Sequence, residues 1–141
     1  MTRGYLVDTN VVSELRKGPR ADPGVVDWIG SVGDQQLYLS VLVVGELRRG
    51  VERIARRDKR SAEALDRWLT GVVDEYEDRI LPVDRSVAEE WGRINVPDPL
   101  SAIDGLMAAT ALVNDLTLVT RNAADVESSS VSTLDPFGAG T

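Results

Sequence analysis

Apolar positions along this chain fall into two alternating patterns. Short runs with no polar alternation occur at Tyr5-Leu6-Val7, Leu37 to Val41, Ile80 to Val83 and Leu116 to Thr120. Such runs suit strands covered on both faces of a parallel sheet. Between them, apolar residues recur every three or four positions, the spacing of a helix with one buried stripe. This spacing predicts a short helix from Val11 to Arg16 and a second one carrying Val25, Val26, Trp28, Ile29 and Val32. Asp22-Pro23 opens the second helix, the acid suited to the cap and the proline to the first helical position. A longer helix holds Val43, Val44, Leu47, Val51 and Ile54 on one side, and Asp58 to Asp74 continues with Ala62, Leu65, Trp68, Leu69 and Val72 in register. These two segments predict a helical hairpin. Asp84-Arg85-Ser86 leads into a helix through Val87, Ala88, Trp91 and Ile94, the two prolines of Pro97-Asp98-Pro99 force a turn, and Ser101 to Val113 forms the most apolar helix. Arg121 to Ser130 reads as a polar loop, and Val131 to Leu134 as a fifth, edge strand.

Strands that alternate with helices imply a parallel sheet with a helical layer on each face. The expected fold is therefore α/β, a three-layer α/β/α sandwich with a four- to five-stranded parallel sheet. No repeat or long linker divides the chain, so residues 1–137 form one expected domain and 138–141 a short tail that frays.

Composition narrows the chemistry. With no cysteine and no histidine among the 141 residues, disulfides, thiolate nucleophiles, zinc-thiolate sites and Ser-His-Asp triads are excluded. Any metal site must be built from oxygen ligands, which points to Mg²⁺ or Mn²⁺. No apolar stretch approaches the roughly 20 residues of a membrane span, and the start lacks the apolar core of a secretory signal, so a cytoplasmic protein is expected.

The net charge of −7 conceals an asymmetry. Residues 1–60 carry eleven Lys/Arg against eight Asp/Glu, and residues 61–141 carry five against fifteen. Seven of the sixteen basic residues lie between Arg48 and Arg60. So dense a stretch can meet phosphates, and equally forms a solvated helix face.

Several polar groups interrupt apolar segments at strand ends or helix starts. Asp8 follows the first strand, at the edge where open α/β sheets place their ligands. Asp8 or Asn10 serves equally as an N-cap. Glu46 sits among Leu42, Val43, Val44 and Leu47. Asp104 stands three residues after Ser101, the spacing of a capping box, and locally that cap is the stronger reading. Beyond the fourth strand come Thr120, Asn122 and Asp125. In a doubly wound sheet these positions share one edge, and clustered carboxylates are comfortable at neutral pH chiefly around a divalent cation.

The ordered segments Leu6-Val7-Asp8-Thr9-Asn10, Ser40 to Gly50 with Glu46, Ile103-Asp104-Gly105-Leu106-Met107 to Ala111, and Leu118-Val119-Thr120-Arg121-Asn122 resemble the PIN-domain nucleases. More narrowly, they resemble the VapC toxins of bacterial VapBC type II toxin–antitoxin pairs. The resemblance runs from the first strand to Pro136-Phe137. It implies an Mg²⁺- or Mn²⁺-dependent endoribonuclease, a cognate VapB-like antitoxin and a homodimer, for which helices around Trp28 and Trp91 offer a surface. Asp8 and Asp104 match the positions most closely tied to the metal, and Glu46 matches the third acid. At the fourth, where many members carry an aspartate, this chain has Asn122, and Asp125 is expected to complete the site, or Asn122 through a water.

On this reading Thr9, Asn10, Thr120 and Asn122 are candidate substrate contacts beside the acids. Arg49 and Arg53 are candidate contacts in the basic stretch. The two threonine hydroxyls can equally satisfy local backbone groups. A haloacid-dehalogenase-like phosphatase expects a second aspartate where Asn10 stands, and a receiver-like module expects a lysine after a late strand, where the chain has Arg121. A PIN fold that only binds RNA or its partner stays open because of Asn122.

Overall fold

A computed structural model describes residues 2–138. Apart from Gly138, the expected tail lies outside these residues. Five strands, β1 (Tyr5–Val7), β2 (Leu37–Ser40), β3 (Ile80–Leu81), β4 (Thr117–Val119) and β5 (Thr133–Leu134), form one sheet. Six α-helices connect or follow them: α1 (Thr9–Leu15), α2 (Pro23–Ser31), α3 (Val41–Ala55), α4 (Lys59–Glu75), α5 (Arg85–Ile94) and α6 (Ala102–Val113).

The strand order is β3-β2-β1-β4-β5, and every pairing is parallel. Leu6 pairs with Tyr38 on one side and with Leu118 on the other, so β1 is the central strand. Its side chains explain this position, because Leu6 and Val7 are buried together with Leu37, Leu39, Leu118 and Val119, as continuous apolar runs require in a doubly covered sheet. The chain first winds outward from β1 to β3 and then returns to build β4 and β5 on the other side. The direction of winding therefore reverses between β1 and β4. In open α/β sheets the ligand crevice lies at such a reversal, outside the carboxyl ends of the strands.

Two helical pairs flank the sheet. The hairpin of α3 and α4 buries Val43, Leu47, Val51, Ala62 and Leu69 toward the core. The other pair, α5 and α6, is set by close approach at Gly105. A Cβ there would stand 3.0 Å from Trp91 Nε1 and 3.1 Å from Trp91 Cδ1. Glycine lets α6 lie against the Trp91 ring, which fixes the turn carrying Asp104. Asn95 holds the preceding loop, its Nδ2 donating to the Trp91 carbonyl (2.7 Å) and its Oδ1 accepting from the Leu100 N–H (2.8 Å). Because α6 feeds β4 and so runs back against the strands, its N-terminus faces their carboxyl ends.

Local chemistry accounts for the departures from expectation. β3 stops at Leu81 because Pro82 has no N–H for the ladder. The expected polar loop from Arg121 to Ser130 contains a 3₁₀ helix, Ala123–Ser129, closed by Ser130 in the left-handed region at φ 64°. α1 begins at Thr9, two residues before its first apolar position, because Asp8 caps it. The capping box predicted at Ser101 does not form. Among the described residues no helix is long and apolar enough to cross a membrane.

Candidate active site

Asp8 sits where β1 hands over to α1, at the point of reversal between β1 and β4. Its Oδ1 accepts the Thr9 N–H (2.8 Å), and its Oδ2 accepts the Thr120 hydroxyl (2.7 Å) and Asn10 Nδ2 (3.1 Å). Asp8 thus caps α1, and the same half-buried carboxylate stands at the sheet edge. Thr120 lies directly after β4 and is itself buried. Its hydroxyl also accepts from the Asn122 N–H (3.1 Å) and from Asn10 Nδ2 (3.3 Å), so its one proton is left for Asp8. Asn10 closes the ring, its Oδ1 accepting the Arg121 N–H (3.2 Å).

The second acid arrives from α3. Glu46 Oε1 accepts the Thr9 hydroxyl at 2.5 Å, which ties the start of α1 to the second turn of α3. Among the described residues Glu46 Oε2 has only a long ion pair, 3.9 Å to Arg49 Nη2. The third acid, Asp104, lies in the first turn of α6. The Ser101 hydroxyl donates to Asp104 Oδ2 (2.7 Å) instead of capping backbone. The spacing that predicted a cap brings these side chains together, but the hydroxyl has chosen the carboxylate over the helix N–H groups. Ser101 is therefore a site neighbour that the sequence presented only as a cap.

Electrostatics link the three. The Asp8 carboxyl is pushed above the usual carboxylate range, chiefly by burial. The Thr120 and Thr9 hydrogen bonds oppose this, and the charges of Glu46 and Asp104 add to it. Two acids distant in sequence thus act on a third at one sheet edge. Among the described residues, no group of three or more acids is gathered tightly enough to hold an ion by itself.

The donor set is nevertheless the one a hard cation uses. It consists entirely of carboxylate and hydroxyl oxygens, and Mg²⁺ typically takes one or two carboxylates and retains several waters. A half-buried carboxylate whose charge is opposed by two neighbours is also what a divalent ion would relieve. On these grounds the residues fit Mg²⁺ or Mn²⁺.

The remaining candidates separate. Asp125 is exposed in the first turn of the 3₁₀ helix, its N–H bonded to the Asn122 carbonyl. Asn122 is exposed and reaches the ring through its backbone N–H to Thr120. In the basic stretch, Arg48 is spent on Asp66 (2.8 Å) and Glu52 (3.9 Å). Arg49 lies beside Glu46 and Ile103 along a cleft of about 240 Å³. Arg53 is exposed in the last turn of α3. A second, larger cleft of about 370 Å³ is lined by Thr9 and Glu46 as well as by Arg16, Lys17 and Arg20. These cations are scattered around the Gly18-Pro19 break and form no run. They follow Asp8 by eight to twelve residues, and nothing else in the sequence marks them.

Comparison with known proteins agrees with this fold. The PIN domain model matches residues 5–124. Toxin FitB of Neisseria gonorrhoeae is 32% identical over 137 residues, covering 94% of this chain and 97% of FitB. VapC ribonuclease Y4jK of Sinorhizobium fredii is 29% identical over 137 residues, covering 94% and 96%. Among solved structures, FitAcB from N. gonorrhoeae superposes with a TM-score of 0.86 at 32% identity, covering 94% of this chain and 97% of that one. With a family model that spans residues 5–124, from the central strand to beyond β4, the chain belongs to the PIN-domain family, among the relatives of the FitB and VapC toxins.

Proposed function

We propose that this protein is the toxin of a type II toxin–antitoxin pair, an Mg²⁺- or Mn²⁺-dependent endoribonuclease that hydrolyses RNA phosphodiester bonds and is held by a small VapB-like antitoxin. The observation that carries the reading is the hydrogen-bonded run at the point where the sheet reverses, in which Thr9 joins the Asp8 and Glu46 carboxylates and Thr120 holds Asp8 from the other strand end. Its relatives named toxin and ribonuclease support the substrate class and the partner.

Asp8, Asp104 and Glu46 are the residues that would hold the ion. When bound, such an ion supplies Lewis acidity toward a phosphoryl oxygen and makes a water more acidic. The chain supplies the rest. Thr120 and the Thr9 N–H fix the Asp8 carboxylate, and the Thr9 hydroxyl fixes Glu46 Oε1. Glu46 Oε2, bound only by the long pair to Arg49, is the oxygen free to take a proton from an attacking water, a role that no histidine can fill here. Asn10 and Thr120 align the edge that meets the scissile phosphate. Asp125 and Asn122 line the rim beyond β4, and Arg49 and Arg53 extend it along α3 as phosphate contacts.

The test is to incubate the purified protein with single-stranded RNA in Mg²⁺, then with chelator, alongside Asp8→Asn and Asp104→Asn variants whose folding is verified by circular dichroism. Cleavage that needs the ion and both carboxylates is expected. Cleavage that survives both substitutions overturns the site. A second reading, a PIN fold that binds RNA or its partner without cutting, is favoured by the absence of a tight acid cage among the described residues. RNA binding with no cleavage at any Mg²⁺ or Mn²⁺ concentration would establish it.

A further inference from the structure

The larger cleft is chemically unlike the acid site it adjoins. Its floor is apolar, formed by Leu47, Leu65 and Trp68 from the α3–α4 hairpin, and its rim is cationic, formed by the segment following α1. The three rim cations differ in their commitments. Lys17 is paired with Glu14 at 3.0 Å. Arg16 stands 6.0 Å from the Trp68 ring centroid, the outer limit of a cation–π contact. The Arg20 side chain makes no hydrogen bond or ion pair among the described residues, and both arginines are exposed. Above the aromatic floor Arg20 is therefore uncommitted and Arg16 is held only by its long contact with Trp68. The inner end of the same cleft is lined by Thr9 and Glu46, which belong to the acid site.

The geometry points to this cleft as a nucleotide subsite, where an unpaired ribonucleotide next to the scissile phosphate lays its base on Trp68 and Leu65 and sets its phosphate on Arg16 and Arg20. This inference rests on the nuclease reading, and supplies it with a strand path. Every base has a face that stacks on an indole, and phosphates are met by guanidinium groups that no carboxylate has neutralised. Charge favours a polyanion here over the Arg48 to Arg60 stretch, whose first member is already neutralised by Asp66 and Glu52. A cleft of about 370 Å³ is large enough for one nucleotide and leads it directly to Thr9 and Glu46.

Binding of a short single-stranded oligoribonucleotide, measured in chelator so that nothing is cut, tests this. An Arg16→Gln/Arg20→Gln variant is expected to bind about tenfold more weakly and to lower the slope of log Kd against log salt by about 1.4, two contacts' worth. Trp68→Leu should weaken binding about fivefold or more, and Trp68→Phe should restore most of it. Trp68 is half-buried, so the exposed arginine pair keeps the test decisive if Trp68→Leu fails to fold. Unchanged affinity and slope in the arginine variant overturn the subsite, as does failure of the wild-type protein to bind RNA at low salt. If the arginine variant keeps RNA binding but loses a protein partner, the cleft is a protein interface and the inference falls. RNA held through Arg16 and Arg20 but never cut in Mg²⁺ leaves the subsite standing and removes the nuclease. RNA cut equally well by wild type and arginine variant removes only the subsite.

Discussion

Asp8 and Asp22 perform the same local task and live in opposite electrostatic conditions. Each follows an extended residue and caps a helix, Asp8 through the Thr9 N–H and Asp22 through the N–H groups of Gly24 and Val25. Asp22 takes a further N–H from Gly138, which leads in holding its carboxyl below the usual aspartate value of 3.8. Asp8 is pushed the other way, by burial first and then by Glu46 and Asp104. Asp22 shows what a carboxylate looks like when it serves only backbone N–H groups. Asp8 carries a cost that capping does not explain, as a carboxylate at the proposed site would.

The contrast is broken most forcefully at the level of activity. Asp8→Asn and Asp104→Asn are each expected to lower RNA cleavage by about 10²-fold or more, the scale of losing a group that holds transition-state charge. Asp22→Asn should leave the rate unchanged in the same single-turnover assay. Positioning residues come next. Thr120→Val and Thr9→Val remove the hydroxyls that fix Asp8 and Glu46, and each is expected to cost about 10- to 100-fold in activity or metal affinity with little change in RNA affinity. Equal loss of RNA binding would make them substrate contacts instead.

Stability sharpens the comparison further. In chelator, thermal melting should show Asp8→Asn more stable than the wild type and Asp22→Asn less stable, since asparagine still caps but carries no charge. The smallest effect is the pH dependence. Stability from the lowered carboxyls of Asp22 and Glu14 is fully present above their ordinary values of 3.8 and 4.5, and is lost as the pH falls through the lower folded values. For Asp8 the folded state holds the proton more tightly, so its penalty is full above the raised value and disappears as the pH falls toward 3.8. The two asparagine variants should therefore approach the wild-type melting temperature on acidification from opposite sides.

The sheet and helices were legible because apolar runs and helical spacing are properties of short windows. Pro23 and Asp22, and Asp84 ahead of α5, announced their helix starts at the positions observed. The 3₁₀ helix over Ala123–Ser129 was hidden because its three-residue turn leaves no apolar stripe in a segment rich in serine and alanine. At Ser101 the motif was visible and its hydrogen bond was not, since a hydroxyl three residues from a carboxylate can serve either backbone or side chain. The basic stretch attracted notice by density, yet Arg48 is spent on Asp66 from the neighbouring helix, a partner that only the folded hairpin supplies. Arg16 and Arg20 are sparse in sequence, and the same folding brings them to one cleft with Trp68. Topology, which decides that β4 returns beside β1, is what unites Asp8 with Thr120 across 112 positions.

Whether Asp8, Glu46 and Asp104 form one site is tested most directly by Mn²⁺ binding, followed through the relaxation of water protons in the wild type and in Asp8→Asn, Glu46→Gln and Asp104→Asn. Binding by the wild type that weakens in all three variants, and stays unchanged in Asp22→Asn, is the expected result. Wild-type affinity retained in any two of the three would mean that these acids do not share an ion.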